Sequence, residues 1–196
     1  MNSDQARWRR VAVLGDSIAV HRGEPVDGYP TQTWAERVAL VLAPDEYLNL
    51  GVPGARAAEI RAGQLAAALA FRPELAIVAA GANDAARRDF RPGAVAEELS
   101  MMLDRLTDAG AVVVTFGCFD LSATLGPEVA ARLRELGELT ERLTRKHGGV
   151  HIDFSGHPAT REGLVGADGL HINARGHAMV AAMVLDAIKG VVRSPR

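Results

Sequence analysis

Short apolar runs alternate with longer segments of helical spacing along the whole of this 196-residue chain. The runs fall at residues 11–14, 47–50, 75–80, 111–116 and 150–154, and the first reads Val11-Ala12-Val13-Leu14 before Gly15 breaks it. Apolar runs this short, without polar alternation, predict strands buried on both faces. Between them, Trp34, Val38 and Val41 stand at i, i+4 and i+7, with Thr33 and Glu36 spaced as a capping box and Pro44 as a stop. Residues 57–70 are alanine-rich, with Ile60, Leu65 and Leu69 as a weaker stripe, while Val95, Leu99, Met102, Leu103 and Leu106 repeat on one helical face. Pro127 opens and Gly148-Gly149 close a further helix carrying Val129, Leu133, Leu136 and Leu143, and a last helix is predicted over residues 174–189.

Strands alternating with helices in this way predict an α/β fold, a three-layer α/β/α sandwich with a five-stranded parallel sheet. The expected strand order is the flavodoxin-like 2-1-3-4-5, which seats strand 1 between strands 2 and 3. Loops leaving the first three strands then open into one crevice, where the order reverses. The chain is expected to form a single domain over residues 1–196, with residues 1–10 and 191–196 as loosely ordered tails.

Composition narrows the functional classes. A formal charge of -2 carries no electrostatic footprint for nucleic acid, so none is expected as a partner. Cys118 is the only cysteine, which excludes an internal disulfide and a cysteine-rich metal site. His21, His147, His151, His157 and His177 show no paired spacing, so no metal is expected. Residues 1–10 are polar, without the apolar core of a secretory signal, and no run approaches ~20 apolar residues. The expectation is a cytoplasmic protein with no membrane span. Oligomeric state is not encoded in any pattern of this kind.

The polar residues that interrupt the pattern collect at the outgoing ends of strands. Ser17 follows strand 1 in Gly15-Asp16-Ser17, and Asn49-Leu50-Gly51-Val52-Pro53-Gly54 follows strand 2, its glycines letting backbone approach a ligand closely. Gly81-Ala82-Asn83-Asp84 follows strand 3, and Asp168-Gly169-Leu170-His171 precedes the last helix. Each block has a plainer account when taken alone: Ser17 as a turn or cap residue, Asp168 as a solvated carboxylate, His171 as a helix cap. Together they supply a hydroxyl, a glycine N–H, an amide donor and an Asp/His pair, the parts that acyl transfer requires. Two residues between Asp168 and His171, one of them Gly169, allow a tight turn that returns the carboxylate to Nδ1 and leaves Nε2 for Ser17.

In their order along the chain, from residue 11 to about 177, these four blocks resemble the SGNH (GDSL-type) hydrolase family. The resemblance implies a serine esterase or lipase-type hydrolase that cleaves carboxylic esters through an acyl-enzyme, acts on a small-molecule ester and needs no cofactor. It implies Ser17 as nucleophile, His171 as base and Asp168 as the residue orienting it. The oxyanion hole it implies comprises the N–H groups of Ser17 and Gly54 and the Asn83 side chain. Asp16, Asn49 and Asp84 read as loop braces. The chain departs from the family where Ile172-Asn173 follows the histidine, a place where proline is common. A thioesterase or an acyltransferase would use the same parts.

Rival classes have less support. No Gly-x-Ser-x-Gly elbow and no phosphate-binding glycine loop is present. A response-regulator receiver would need paired acids after strand 1 and a lysine after strand 5, where this chain has Asp16 alone and His151-Ile152-Asp153-Phe154-Ser155. A catalytically silent binding module is the non-enzyme alternative, separable by whether Ser17 takes a fluorophosphonate. Cys118, near Phe116 and Phe119, reads as a small buried hydrophobe or a pocket wall. Arg87 and Arg88 read as a solvated helix start or as contacts for an anionic group. The polar segment at residues 21–30 is expected to line the pocket, and leans towards a short acyl group on a polar alcohol.

Overall fold

The computed structural model describes residues 8–154 and 163–191. His157 and the outer parts of both expected tails lie outside them. The five strands are β1 (Arg10–Gly15), β2 (Glu46–Asn49), β3 (Leu75–Ala79), β4 (Val112–Phe116) and β5 (Val150–Ile152). All neighbours pair in parallel, in the order β2-β1-β3-β4-β5 that the alternation of runs predicts. The helices are α1 (Ser17–Val20), α2 (Trp34–Leu42), α3 (Ala57–Phe71), α4 (Ala82–Ala85), α5 (Pro92–Asp108), α6 (Ser122–Lys146) and α7 (Ala174–Ile188).

Side chains alternate across the sheet and so feed two cores. Val11 and Val13 of β1 and Leu75 and Ile77 of β3 pack with Trp34 and Val38 of α2 and Val180, Val184 and Ile188 of α7. Leu14, Ala76 and Val78 face the other way, onto Ile60 of α3, the Val95–Leu106 stripe of α5, and Leu133 and Leu136 of α6. The capping box is formed: Thr33 Oγ1 accepts the Glu36 N–H at 3.0 Å, and the Glu36 carboxylate accepts the Thr33 N–H at 2.8 Å.

Three departures from the sequence reading stand out. Residues 8–10 are no tail. Trp8 is 3 % exposed in the α2/α7 core, Arg9 donates its N–H to Glu74 at 2.6 Å, and Arg10 opens β1. Two helices of a single turn, α1 and α4, follow β1 and β3 directly, where an apolar periodicity is too short to register. Helix α6 begins before Pro127, at Ser122, with a break at Gly126 (φ 79°) between the first turn and the long segment. No helix among the described residues is long and apolar enough to cross a membrane.

Candidate active site

The strand ends determine what reaches the crevice. Where β1 stops, Asp16 caps α1 by accepting the Ile18 N–H at 2.9 Å, which turns Ser17 out over the edge of the sheet. The end of β1 is itself clamped from α3. The Gln64 side chain accepts the Gly15 N–H and donates to the Gly15 carbonyl, both at 2.8 Å. The sequence reading passed over Gln64. Its signal is a polar residue on the buried face of α3, four positions from both Ile60 and Ala68.

The Asp-x-x-His block forms a turn in which Gly169 (φ +65°) packs so close to α6 that a Cβ there would lie 2.5 Å from Thr124 Oγ1. Asp168 Oδ1 accepts the N–H groups of Leu170 at 2.9 Å and His171 at 3.0 Å, while Oδ2 accepts His171 Nδ1–H at 2.7 Å. Burial resists ionisation of Asp168, but these hydrogen bonds outweigh it and bring the carboxyl down to about 2. An ionised Asp168 assigns the proton on the ring to Nδ1. Nε2 is thereby free to accept from the Ser17 hydroxyl, 3.2 Å away and 154 residues upstream. On either side of the turn, the Gly166 N–H donates to the His171 carbonyl at 2.8 Å, and Asn173 caps α7 with its side-chain oxygen while donating to Gly163. Asn173 thus ends the loop one residue after Ile172, which stands where the family often has proline.

His21 lies over this histidine, the two rings stacked with centroids 4.2 Å apart and planes 22° from parallel. On the inner side His177, at the start of α7, accepts the Trp34 N–H at Nδ1. Burial holds His177 well below the usual imidazole range, at about 4, so it is neutral.

Asn83, on α4, sits between two loops. Its Nδ2 donates to Asp16 Oδ2 at 2.8 Å and to the Ala55 carbonyl at 3.0 Å. The Asp16 carboxyl is 1 % exposed, and burial pushes it up to about 6 against the hydrogen bonds from Ile18 and Asn83. Gly54 stands in the left-handed region (φ +79°) with open space beyond it, so its residue type answers to backbone conformation and not to crowding. Asp84 accepts the Ala57 N–H at 2.9 Å, and Asn49 accepts the Gly51 N–H at 3.0 Å while donating to the Ala19 carbonyl at 2.9 Å.

A cavity of about 190 Å³ opens beside Ser17 and His171, with Asn83 in its wall. Cys118 borders it, its thiol pushed up to about 12 by burial, first, and by the Asp16 charge. Of the polar segment at residues 21–30, only His21 borders this cavity, contrary to the expectation that the segment lines it. The segment is instead tied down elsewhere. Arg22 pairs with Glu36 at 2.6 Å, and the Glu24 carbonyl accepts the Ala174 N–H. Asn83 also borders a separate, polar groove lined by Gly54, Arg56, Glu59 and Arg87. Among the described residues, no three His, Cys, Asp or Glu side chains cluster in a way that could hold a metal ion.

Comparison with known proteins follows the same outline. Solved structures with similar folds include a lipase/acylhydrolase from Enterococcus faecalis, 22 % identical, covering 96 % of this chain and 100 % of its own, with a TM-score of 0.76. TesA is 23 % identical over 93 % of this chain and 99 % of its own, with a TM-score of 0.72. A catalytic mutant of Axe2, an acetylxylan esterase from Geobacillus stearothermophilus, is 14 % identical over 95 % and 96 %, with a TM-score of 0.77. No curated protein matches the sequence significantly. The model of the GDSL-like lipase/acylhydrolase family matches residues 13–179, from within β1 to within α7. The chain therefore belongs to the GDSL-like lipase/acylhydrolase family and is a carboxylic ester hydrolase.

Proposed function

We propose that the chain hydrolyses small-molecule carboxylic esters through an acyl-enzyme on Ser17. The observation that carries this reading is the continuous path from Ser17 Oγ to His171 Nε2 at 3.2 Å and from His171 Nδ1 to Asp168 Oδ2 at 2.7 Å. Ser17 Oγ attacks the ester carbonyl as His171 takes its proton, and the ionised Asp168 stabilises the imidazolium that results. The tetrahedral intermediate collapses when His171 returns that proton to the alcohol oxygen and the carbon–oxygen bond to the alcohol breaks. Water then enters, gives a proton to His171 and attacks the acyl carbon. Departure of Ser17 with that proton regenerates the enzyme.

The negative charge that forms on the carbonyl oxygen is assigned to the N–H groups of Ser17 and Gly54 and to Asn83 Nδ2. Donors of this kind are worth most when they are already in position, because no reorganisation is needed as charge develops. Asn83 has both its hydrogens engaged at rest, so donation to an oxyanion requires it to share or release one. The neutral Ala55 carbonyl is the weaker of its two acceptors, since the Asp16 bond gains from the carboxylate's charge.

The test is covalent. A fluorophosphonate should add one equivalent to Ser17, identified by peptide mass, and a p-nitrophenyl ester should give a burst of nitrophenolate. Ser17→Ala should lose both. Labelling that survives Ser17→Ala would refute the assignment.

A further inference from the structure

The two hollows that share Asn83 differ in chemistry, and the difference bears on which part of an ester each can take. The groove bordered by Gly54, Arg56, Glu59 and Arg87 is charged and open to solvent. The cavity beside Ser17 has few polar lining residues, Asp16, Ser17, Asn83, His21, His171 and the buried His177. Most of the remaining wall is carbon, including Phe119, Leu121 and, from α6, Leu125, Leu133 and Leu136. A sugar or other polar group placed there would give up its hydrogen bonds to water without replacement. An alkyl chain would give up only unfavourable contact with water.

From this geometry we infer that the site selects esters of medium-length acyl chains, about six to eight carbons, with the chain in the carbon-walled cavity and the alcohol towards the polar groove. The inference rests on the esterase reading above. It replaces the lean towards short acyl groups that the polar segment at residues 21–30 suggested. Its length scale follows from volume. An apolar cavity of about 150 Å³ takes up one benzene, a six-carbon molecule; at about 190 Å³, this one holds slightly more.

One position offers a test of the cavity's depth. Gly137 lies on α6 at the cavity wall, and a Cβ built there meets nothing nearer than the Gly117 Cα at 3.8 Å, an ordinary contact. A larger side chain at 137 therefore grows into the space that the acyl chain would occupy. Gly117 opposite offers no such freedom, since a Cβ there would lie 3.2 Å from Asp153 Oδ1.

The experiment is a series of p-nitrophenyl esters from acetate to palmitate, run on the intact chain and on Gly137→Ala and Gly137→Leu, alongside hexyl acetate. For the intact chain, kcat/KM should rise about three- to fourfold per added methylene up to hexanoate or octanoate, as expected for burying each CH₂. It should fall again by palmitate. Gly137→Leu should lose at least tenfold on hexanoate and octanoate while acetate stays within about twofold, and Gly137→Ala should lie between. If Gly137→Leu does not fold, the series on the intact chain and on Gly137→Ala still decides. A flat or falling series, with Ser17 still labelled by a fluorophosphonate, would overturn the acyl-pocket inference and leave the esterase reading intact. Equal loss on acetate and hexanoate in Gly137→Leu would also overturn it, as would a preference for hexyl acetate over short alkyl acetates with no gain along the acyl series. Absence of both ester turnover and labelling would instead remove the esterase reading itself.

Discussion

The side-chain amide of Asn83 is anchored to the buried carboxyl of Asp16 by a hydrogen bond of 2.8 Å. Two loops that leave adjacent strands are thereby joined directly behind Ser17, and the orientation of the amide is set by the charge of its neighbour. Removing the amide should therefore cost more than a single contact. Asn83→Ala should lower kcat by roughly a hundred- to a thousandfold, the range for loss of one oxyanion donor, with KM little changed. Steady-state kinetics on a p-nitrophenyl ester would measure this, and a loss below about threefold would take Asn83 out of the oxyanion hole.

Asp16 and His177 should pull stability in opposite directions as pH changes. The native carboxyl of Asp16 holds its proton up to about pH 6, whereas an unfolded aspartate gives it up near 4. Its contribution is thus fully present below about pH 4 and lost as pH rises through 6, by about 3 kcal/mol. His177 is neutral in the native state down to about pH 4 and would gain a proton near 6.5 when unfolded, so its contribution grows over nearly the same window. The two largely cancel in the intact chain. Asp16→Asn should uncover the His177 slope, with the free energy of urea unfolding rising by about 3 kcal/mol between pH 4 and 6.5 relative to the parent curve. Parallel curves for parent and variant would show that Asp16 is not so perturbed.

The stack of His21 on His171 predicts a positioning role that depends on an aromatic ring and not on titration. His21→Phe keeps a ring over His171 and should retain most of kcat. His21→Ala leaves the face of the His171 ring uncovered and should lose about tenfold, within the penalty for small misplacements of a reacting group. Equal loss in both variants would point to the His21 Nδ1, which accepts the Gly23 N–H at 3.1 Å, as the feature that matters.

Gly169→Ala should damage stability and catalysis together. The substitution puts a side chain in the left-handed region, at a cost of about 1–2 kcal/mol, and drives it against Thr124. Since Asp168 and His171 flank the same turn, kcat should fall about tenfold or more. A partial return of activity in Gly169→Ala with Thr124→Ala would separate the collision from the backbone effect.

Cys118 should behave as a wall and not as a reagent. With its thiol held up at about 12, the thiolate fraction at pH 8 is negligible, so iodoacetamide should leave Cys118 unmodified over a time that alkylates free cysteine completely. Cys118→Ala should keep turnover of acetate esters.

The sheet is legible in the chain because its signals are local. Runs such as residues 75–80 are continuous and apolar, and the stripes on α5 and α7 name the faces that cover them. Gly-Asp-Ser and Asp-x-x-His are legible for the same reason, since each is a short turn whose geometry is written into consecutive residues. Partners distant in sequence leave no such trace. The grip of Gln64 on Gly15 spans 49 residues and the Trp34–His177 bond 143, and neither follows from the composition of its own segment. Trp8 stands among polar and charged residues that read as a tail, although its indole is buried at the entry to β1. The polar segment at residues 21–30 misled for the converse reason. Its side chains and backbone serve α2 and the start of α7, and the cavity takes its character from the end of β4 and from α6.

Asp168 and His171 belong to one short turn, whereas Ser17 reaches them only across almost the full length of the polypeptide. Regained turnover in a refolding experiment should accordingly lag behind recovery of the sheet, because loop closure over so long a separation comes late. Turnover would in this way report on the late meeting, at a single hydroxyl, of segments from opposite ends of the chain.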